Sequence, residues 1–132
     1  MIRFWKVVRA INAWEDDARE FVYGETDCCR FAAFVIHSIT GIDRFPPELK
    51  YGSRAEAYAL IKKHGTLQNI VSHYLGDPVD VDTLRPGDPV LAELPTVGEL
   101  LGIKTPGLVV VPAENRGLIS LSDSCAITGW AV

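Results

Sequence analysis

Apolar positions in the first half of the chain recur at three- and four-residue steps. Phe4, Val7, Val8, Ile11 and Trp14 fall on one stripe and predict an amphipathic helix ending around Arg19 or Phe21. Tyr23-Gly24-Glu25 interrupts that pattern. Thr26 or Asp27 can then cap a second helix whose apolar face runs Cys28, Phe31, Ala32, Val35, Ile36 and Ile39, closed by Thr40-Gly41. Residues 42–52, with Pro46-Pro47, read as a connecting loop. Ser53 and Glu56 stand three apart and predict a capping box opening a third helix, which stops at His64-Gly65. Thr66 opens a fourth helix carrying Leu67, Ile70, Val71 and Tyr74, ended by Gly76-Asp77-Pro78.

Beyond residue 78 the helical period is lost. Leu84-Arg85-Pro86-Gly87-Asp88-Pro89 reads as a turn, and short apolar runs punctuated by Gly and Pro follow it. They predict strands at 90–93, 100–104, 108–111, 118–121 and 129–132, with a single helical turn within 122–127. Helices first and antiparallel strands second define an α+β fold, not a doubly wound sheet. The expected organisation is one domain over residues 1–132, mainly helical to residue 78 and mainly strand from residue 79.

Composition narrows the functional classes. The chain has 132 residues, 48% of them hydrophobic and 23% charged, which suits one globular core and excludes a disordered chain. A net charge of -4 argues against a nucleic-acid surface, and the densest basic group, Lys62-Lys63-His64, reads as a solvated helix end. The longest apolar run, from Gly107 to Pro112, is far too short for a membrane span. Met1-Ile2-Arg3-Phe4-Trp5-Lys6 lacks the apolar core of a signal peptide, so synthesis in a cytoplasm is expected. The cysteines, Cys28, Cys29 and Cys125, are odd in number and include an adjacent pair, which does not describe a disulfide framework. No C-x-x-C or H-x-x-x-H spacing assembles zinc ligands, and no cofactor is expected.

The stretch Thr26-Asp27-Cys28-Cys29-Arg30-Phe31 resembles the D-C-x-x-F/L helix start of NlpC-type cell-wall peptidases, a branch of the papain-like superfamily. A thiol at a helix N-terminus meets the positive end of the dipole and free amides, which favour the thiolate. Arg85-Pro86-Gly87-Asp88 resembles the turn that introduces the small sheet of that family. The resemblance puts Cys28 in the nucleophile's place and Leu100, in Leu100-Leu101-Gly102-Ile103, in the place of the histidine base. Pro112, in Val110-Val111-Pro112-Ala113, takes the place of the polar residue that orients the base. Neither leucine nor proline accepts a proton, and acyl transfer by cysteine needs a base within hydrogen-bond reach. His37, His64 and His73 all precede the strand half, and His37 lies half a turn round the helix from Cys28. Glu99 is the conceivable substitute base, with an exposed strand position as the simpler expectation.

The chain also resembles, along nearly its whole length, small proteins of tailed phages, prophages and gene-transfer-agent-like elements. The shared features are Trp14, Gly24 through Cys28, Thr40-Gly41-Ile42-Asp43, Gly87-Asp88, Leu101-Gly102-Ile103 and Trp130-Ala131-Val132. This resemblance implies a virion component of a tail tip or baseplate hub, with tail proteins as partners and a degenerate peptidase fold. Trp5, Trp14 and Trp130 are expected as core or interface anchors, core being the commoner fate. The alternative is an active cysteine hydrolase of peptidoglycan peptides, or of a tail protein, with Cys28 as nucleophile and Glu99 or a partner's residue as base. An assembly factor absent from the finished particle fits the sequence equally well.

Overall fold

The computed structural model describes residues 2–17, 27–44, 52–95, 97–113 and 117–132. Among them, four helices precede a five-stranded antiparallel sheet: α1 (Ile2–Asp16), α2 (Cys28–Thr40), α3 (Arg54–His64), α4 (Leu67–Leu75), then β1 (Pro89–Leu94), β2 (Gly98–Thr105), β3 (Leu108–Ala113), β4 (Gly117–Ser122) and β5 (Ala126–Gly129). The fold is α+β, as the succession of periods predicts. The expected end of the first helix at Arg19 or Phe21, and the alternative cap Thr26, lie outside the described residues.

Local chemistry fixes the helix ends. Asp27 caps α2 by accepting the Arg30 N–H at 2.9 Å, and Gly41, at φ 75, ends it by donating to the His37 carbonyl. Ser53 Oγ accepts the Glu56 N–H at 3.1 Å, but the Glu56 carboxylate reaches back to the Gly52 amide at 3.0 Å, one residue before the cap. Thr66 caps α4 through the Asn69 N–H at 3.0 Å. Helix α3 buries no residue, so its caps and its cationic last turn do more for it than packing does.

One core ties the halves together. Val7 and Trp14 of α1, Phe31, Val35 and Ile36 of α2, and Ile70 and Val71 of α4 pack with Leu91, Leu101, Ile103 and Val110 of the sheet. Trp130 is fully buried among them, and its Nε1 donates to Ser72 Oγ at 3.1 Å. Each such fully buried large side chain contributes about 1.5–3 kcal/mol. With Cys28, Cys29 and Cys125 all free thiols, this packing joins the two halves without a covalent link.

The sheet order is β4-β3-β2-β1-β5, yet only the 3-10 turn Asp123–Cys125 joins its two outermost strands. In a flat sheet those strands would lie about 19 Å apart. They also run in the same direction, so the link would have to cover a strand length as well. A single 3-10 turn covers about 8 Å, so the sheet curls round itself into a half-closed barrel. Its inner side is a second small core of Val90, Val109 and Val111, closed by Leu84, Ile119, Leu121 and Ala126.

Two expectations are corrected. The final strand is Ala126–Gly129, not 129–132: it pairs with β1 from Val90↔Gly129, and Trp130 has left the strand to enter the helix-facing core. Trp14 and Trp130 are buried, but Trp5 is 58% exposed, turned to solvent on the outer side of α1.

The Arg85-Pro86-Gly87-Asp88 turn is a structural junction. Asp88, almost fully buried, accepts the Arg85 N–H at 2.7 Å, the Arg3 guanidinium at 2.6 Å and the Val132 N–H at 3.1 Å. Arg3 donates further to the main-chain oxygens of Pro86 and Val132, each at 2.9 Å. A cation in the first turn opposes the helix dipole, and this clamp is its compensation.

Candidate functional site

Cys28 is the first residue of α2, half-buried at the edge of the core and directly after the Asp27 cap. Asp27 is 2% exposed and spends its carboxylate on the Arg30 amide, so the aspartate of the D-C pair is a helix cap here. The Cys28 thiol is held below the usual thiol range. The chief cause is a hydrogen bond from the Cys29 thiol; burial and the Asp27 carboxylate oppose it, and the backbone amides of Leu101 and Cys29 reinforce it. The Cys29 thiol and a backbone amide of β2 are therefore the groups that favour a Cys28 thiolate.

The strands fix which side of β2 each side chain faces. Leu101 and Ile103 belong to the helix-facing core. Side chains alternate along a strand, so Leu100 and Gly102 point to the inner side of the barrel. Leu100 stands opposite Ala92 in the β1–β2 register, on the side of Val90. Leu100 therefore faces the inner side of the barrel, away from the helix-facing core against which Cys28 packs. Pro112, buried on β3, shares the side of Val110 and faces the helices. The β2–β3 register runs only from Thr105↔Leu108 to Ile103↔Val110; continued, it would set Pro112 beside Leu101, where proline has no N–H to give. Glu99 and Leu101 share a side of β2, and Glu99, partly exposed, pairs in register with Glu93.

No histidine is among the groups that act on Cys28. His37 is exposed on the far side of α2, its Nε2 4.0 Å from the Asp43 carboxylate. His64 and His73 lie together at the α3–α4 junction, ring centroids 6.0 Å apart, with His73 edge-on to Tyr74. The structure thus brings Cys28 to the sheet but brings neither Leu100 nor a histidine to Cys28. The groups that sequence reading missed are Cys29 and the Leu101 amide. Adjacency to Cys28 was the available sign of the first; the second, a backbone group, leaves no trace in side-chain identity. Among the described residues no cluster of three or more His, Cys, Asp and Glu could hold a metal ion, and no helix is long and apolar enough to cross a membrane.

These features define an α+β domain in which a thiol at a helix N-terminus meets a backbone amide of a curled antiparallel sheet. Residues 4–132 match the family described as Domain of unknown function (DUF6950), and the chain belongs to that family. No curated protein sequence matches it.

Proposed function

We propose that the chain is a structural component of a phage or prophage tail tip or baseplate hub, built on a degenerate, non-hydrolytic relative of the NlpC-type peptidase fold. The observation that carries the loss of hydrolysis is the make-up of the Cys28 surroundings: the Cys29 thiol, the Leu101 amide and the Asp27 cap, with all three histidines engaged elsewhere. A thiolate can form there, but among the described residues no imidazole is placed to protonate a leaving amine, so amide cleavage lacks its second proton transfer. The virion setting and the tail-protein partners rest on the sequence resemblance. Cys28→Ala introduced into the genome that encodes the chain tests the reading. Particle yield, infectivity and incorporation into purified particles should match wild type, whereas deletion of the gene should abolish functional tails. Infectivity lost in Cys28→Ala to the same degree as in the deletion would overturn it. Absence of the chain from purified functional particles would assign it to assembly instead.

The depressed Cys28 thiol favours one second reading, an active cysteine hydrolase of peptidoglycan peptides or of a tail protein. Glu99, on the same side of β2 as Leu101, is the base that this reading assigns. Release of new peptide termini from purified peptidoglycan by wild type, but by neither Cys28→Ala nor Glu99→Gln, would establish this reading.

A further inference from the structure

Two histidines that take no part at Cys28 meet where α3 turns into α4. His64 ends α3 and His73 lies in the last turn of α4, with ring centroids 6.0 Å apart and ring planes tilted by 48°. Neither imidazole hydrogen-bonds to another group among the described residues. The turn that carries them is tied down. Asn69 Nδ2 donates to the His64 carbonyl at 2.8 Å, Thr66 Oγ1 accepts the Asn69 N–H at 3.0 Å, and the Gly65 N–H donates to the Lys62 carbonyl at 3.3 Å. Both rings therefore stand on fixed backbone.

One ion held by two imidazoles puts the ring centres about 5–6 Å apart, because zinc–nitrogen bonds are about 2.0–2.1 Å and the angle between them is near tetrahedral. The nitrogen lone pairs lie in the ring planes, so they meet at one point only when the rings are tilted or coplanar, never when they stack in parallel. The His64–His73 pair meets both conditions. His73 is exposed and His64 half-buried, so an ion reaches the pair from solvent.

Charge and ligand type narrow the ion. Lys62 and Lys63 share the last turn of α3 with His64 and oppose any cation. Among the described residues no third His, Cys, Asp or Glu joins the pair, so water must complete the coordination. Magnesium and calcium, which need oxygen ligands, gain nothing there. An ion that bonds strongly to imidazole nitrogen does gain, and affinity for such sites is highest for copper.

We propose that His64 and His73 together hold one divalent transition-metal ion, zinc or copper, as a two-nitrogen chelate completed by water. The ion joins α3 to α4. Helix α3 buries no residue and leans on the partly buried Leu60 and Ile61, so a bond from its last turn to α4 adds to a sparse attachment.

Zinc(II) titrated into the full chain tests this, with the imidazole NMR signals of all three histidines resolved and amide exchange read along α3. His64 and His73 should move together on one saturation curve, His37 should stay still, and the α3 amides should exchange more slowly in zinc. His64→Gln and His73→Gln should each weaken zinc binding at this site about tenfold or more, since one nitrogen is left where two acted together. Neither side chain belongs to the core, so both variants keep the fold; if one does not, the wild-type curves decide alone. Zinc that moves only the cysteine signals, or His64 and His73 that titrate on separate curves, overturns the proposal. So does a His73→Gln chain that holds zinc at His64 as tightly as wild type.

Discussion

The Arg3 guanidinium and the Asp88 carboxylate meet at 2.6 Å across 85 positions of sequence, joining the first turn of α1 to the turn that enters the sheet. Asp88 is 1% exposed and also accepts the Arg85 and Val132 amides. Asp88→Ala leaves a part-buried guanidinium and two amides without their acceptor, and should lower the unfolding free energy by about 3–5 kcal/mol. Arg3→Met keeps most of the stem packing and leaves Asp88 its two amide donors, so its cost should be smaller, about 1–3 kcal/mol. Urea unfolding of both variants and of the double variant checks the order. Equal costs would show that Arg3, not the amides, holds the carboxylate.

Trp130 and Ser72 give a second long-range test. The indole is fully buried, and its N–H ends on Ser72 Oγ at 3.1 Å. Ser72→Ala leaves a buried donor unsatisfied and should cost about 1–3 kcal/mol. Trp130→Phe removes donor and bulk together, and its cavity should make it the more damaging change, about 2–4 kcal/mol. Thermal or urea unfolding should rank them so, and in the Trp130→Phe background Ser72→Ala should cost little.

What the sequence disclosed is what local chemistry decides. Asp27, Ser53, Thr66 and Gly41 act within four residues of themselves, and each sits at the helix end that its chemistry predicts. The strands at 90–93, 100–104, 108–111 and 118–121 fall inside β1 to β4, because turns with Gly and Pro bound them. Long-range contacts stayed hidden. Trp130 has an apolar neighbourhood in sequence that reads as strand, but the indole leaves the sheet for the helix-facing core, where Ser72 of α4 accepts its N–H. Arg3 contradicts the helix dipole until Asp88 is placed beside it. At the site, Cys28 was legible because a thiol at a capped helix start is a local pattern. The side on which Leu100 lies was not legible, because it depends on strand register and on which face of the sheet the helices cover.

Gly102 lies in the Leu101-Gly102-Ile103 run, and its role is steric. A Cβ built there would stand 2.5 Å from Val109 Cγ1, 2.6 Å from Val111 Cγ1 and 2.9 Å from the Val110 oxygen, inside the half-closed barrel. Its φ is not positive, so crowding and not backbone strain opposes a side chain. Gly102→Ala should therefore destabilise by about 1–3 kcal/mol. In a double-mutant cycle Val109→Ala should cost less on the Gly102→Ala background than alone, because it frees the space that the new methyl needs. Additive costs would place Gly102 outside the packed interior.

The Cys28–Cys29 pair makes a prediction that holds whether or not the chain cuts any substrate. With Cys125 replaced by serine to silence the other part-exposed thiol, Cys28 should be alkylated by iodoacetamide at lower pH than a free cysteine. Since the Cys29 thiol is the chief cause of the depression, Cys29→Ala should move the alkylation profile to higher pH, while Asp27→Asn should move it lower by removing an opposing charge. Stability must follow the same linkage. A folded-state pKa below the unfolded one means that the thiolate is favoured in the native state. Its contribution is therefore full above the unfolded thiol's pKa, about 8.5, and is lost as pH falls through the folded value. The stability advantage of wild type over Cys28→Ser should accordingly grow from neutral pH toward about pH 9. A constant gap across that window, or alkylation no easier than for free cysteine, would show that the Cys29 and Leu101 donors do not hold a thiolate.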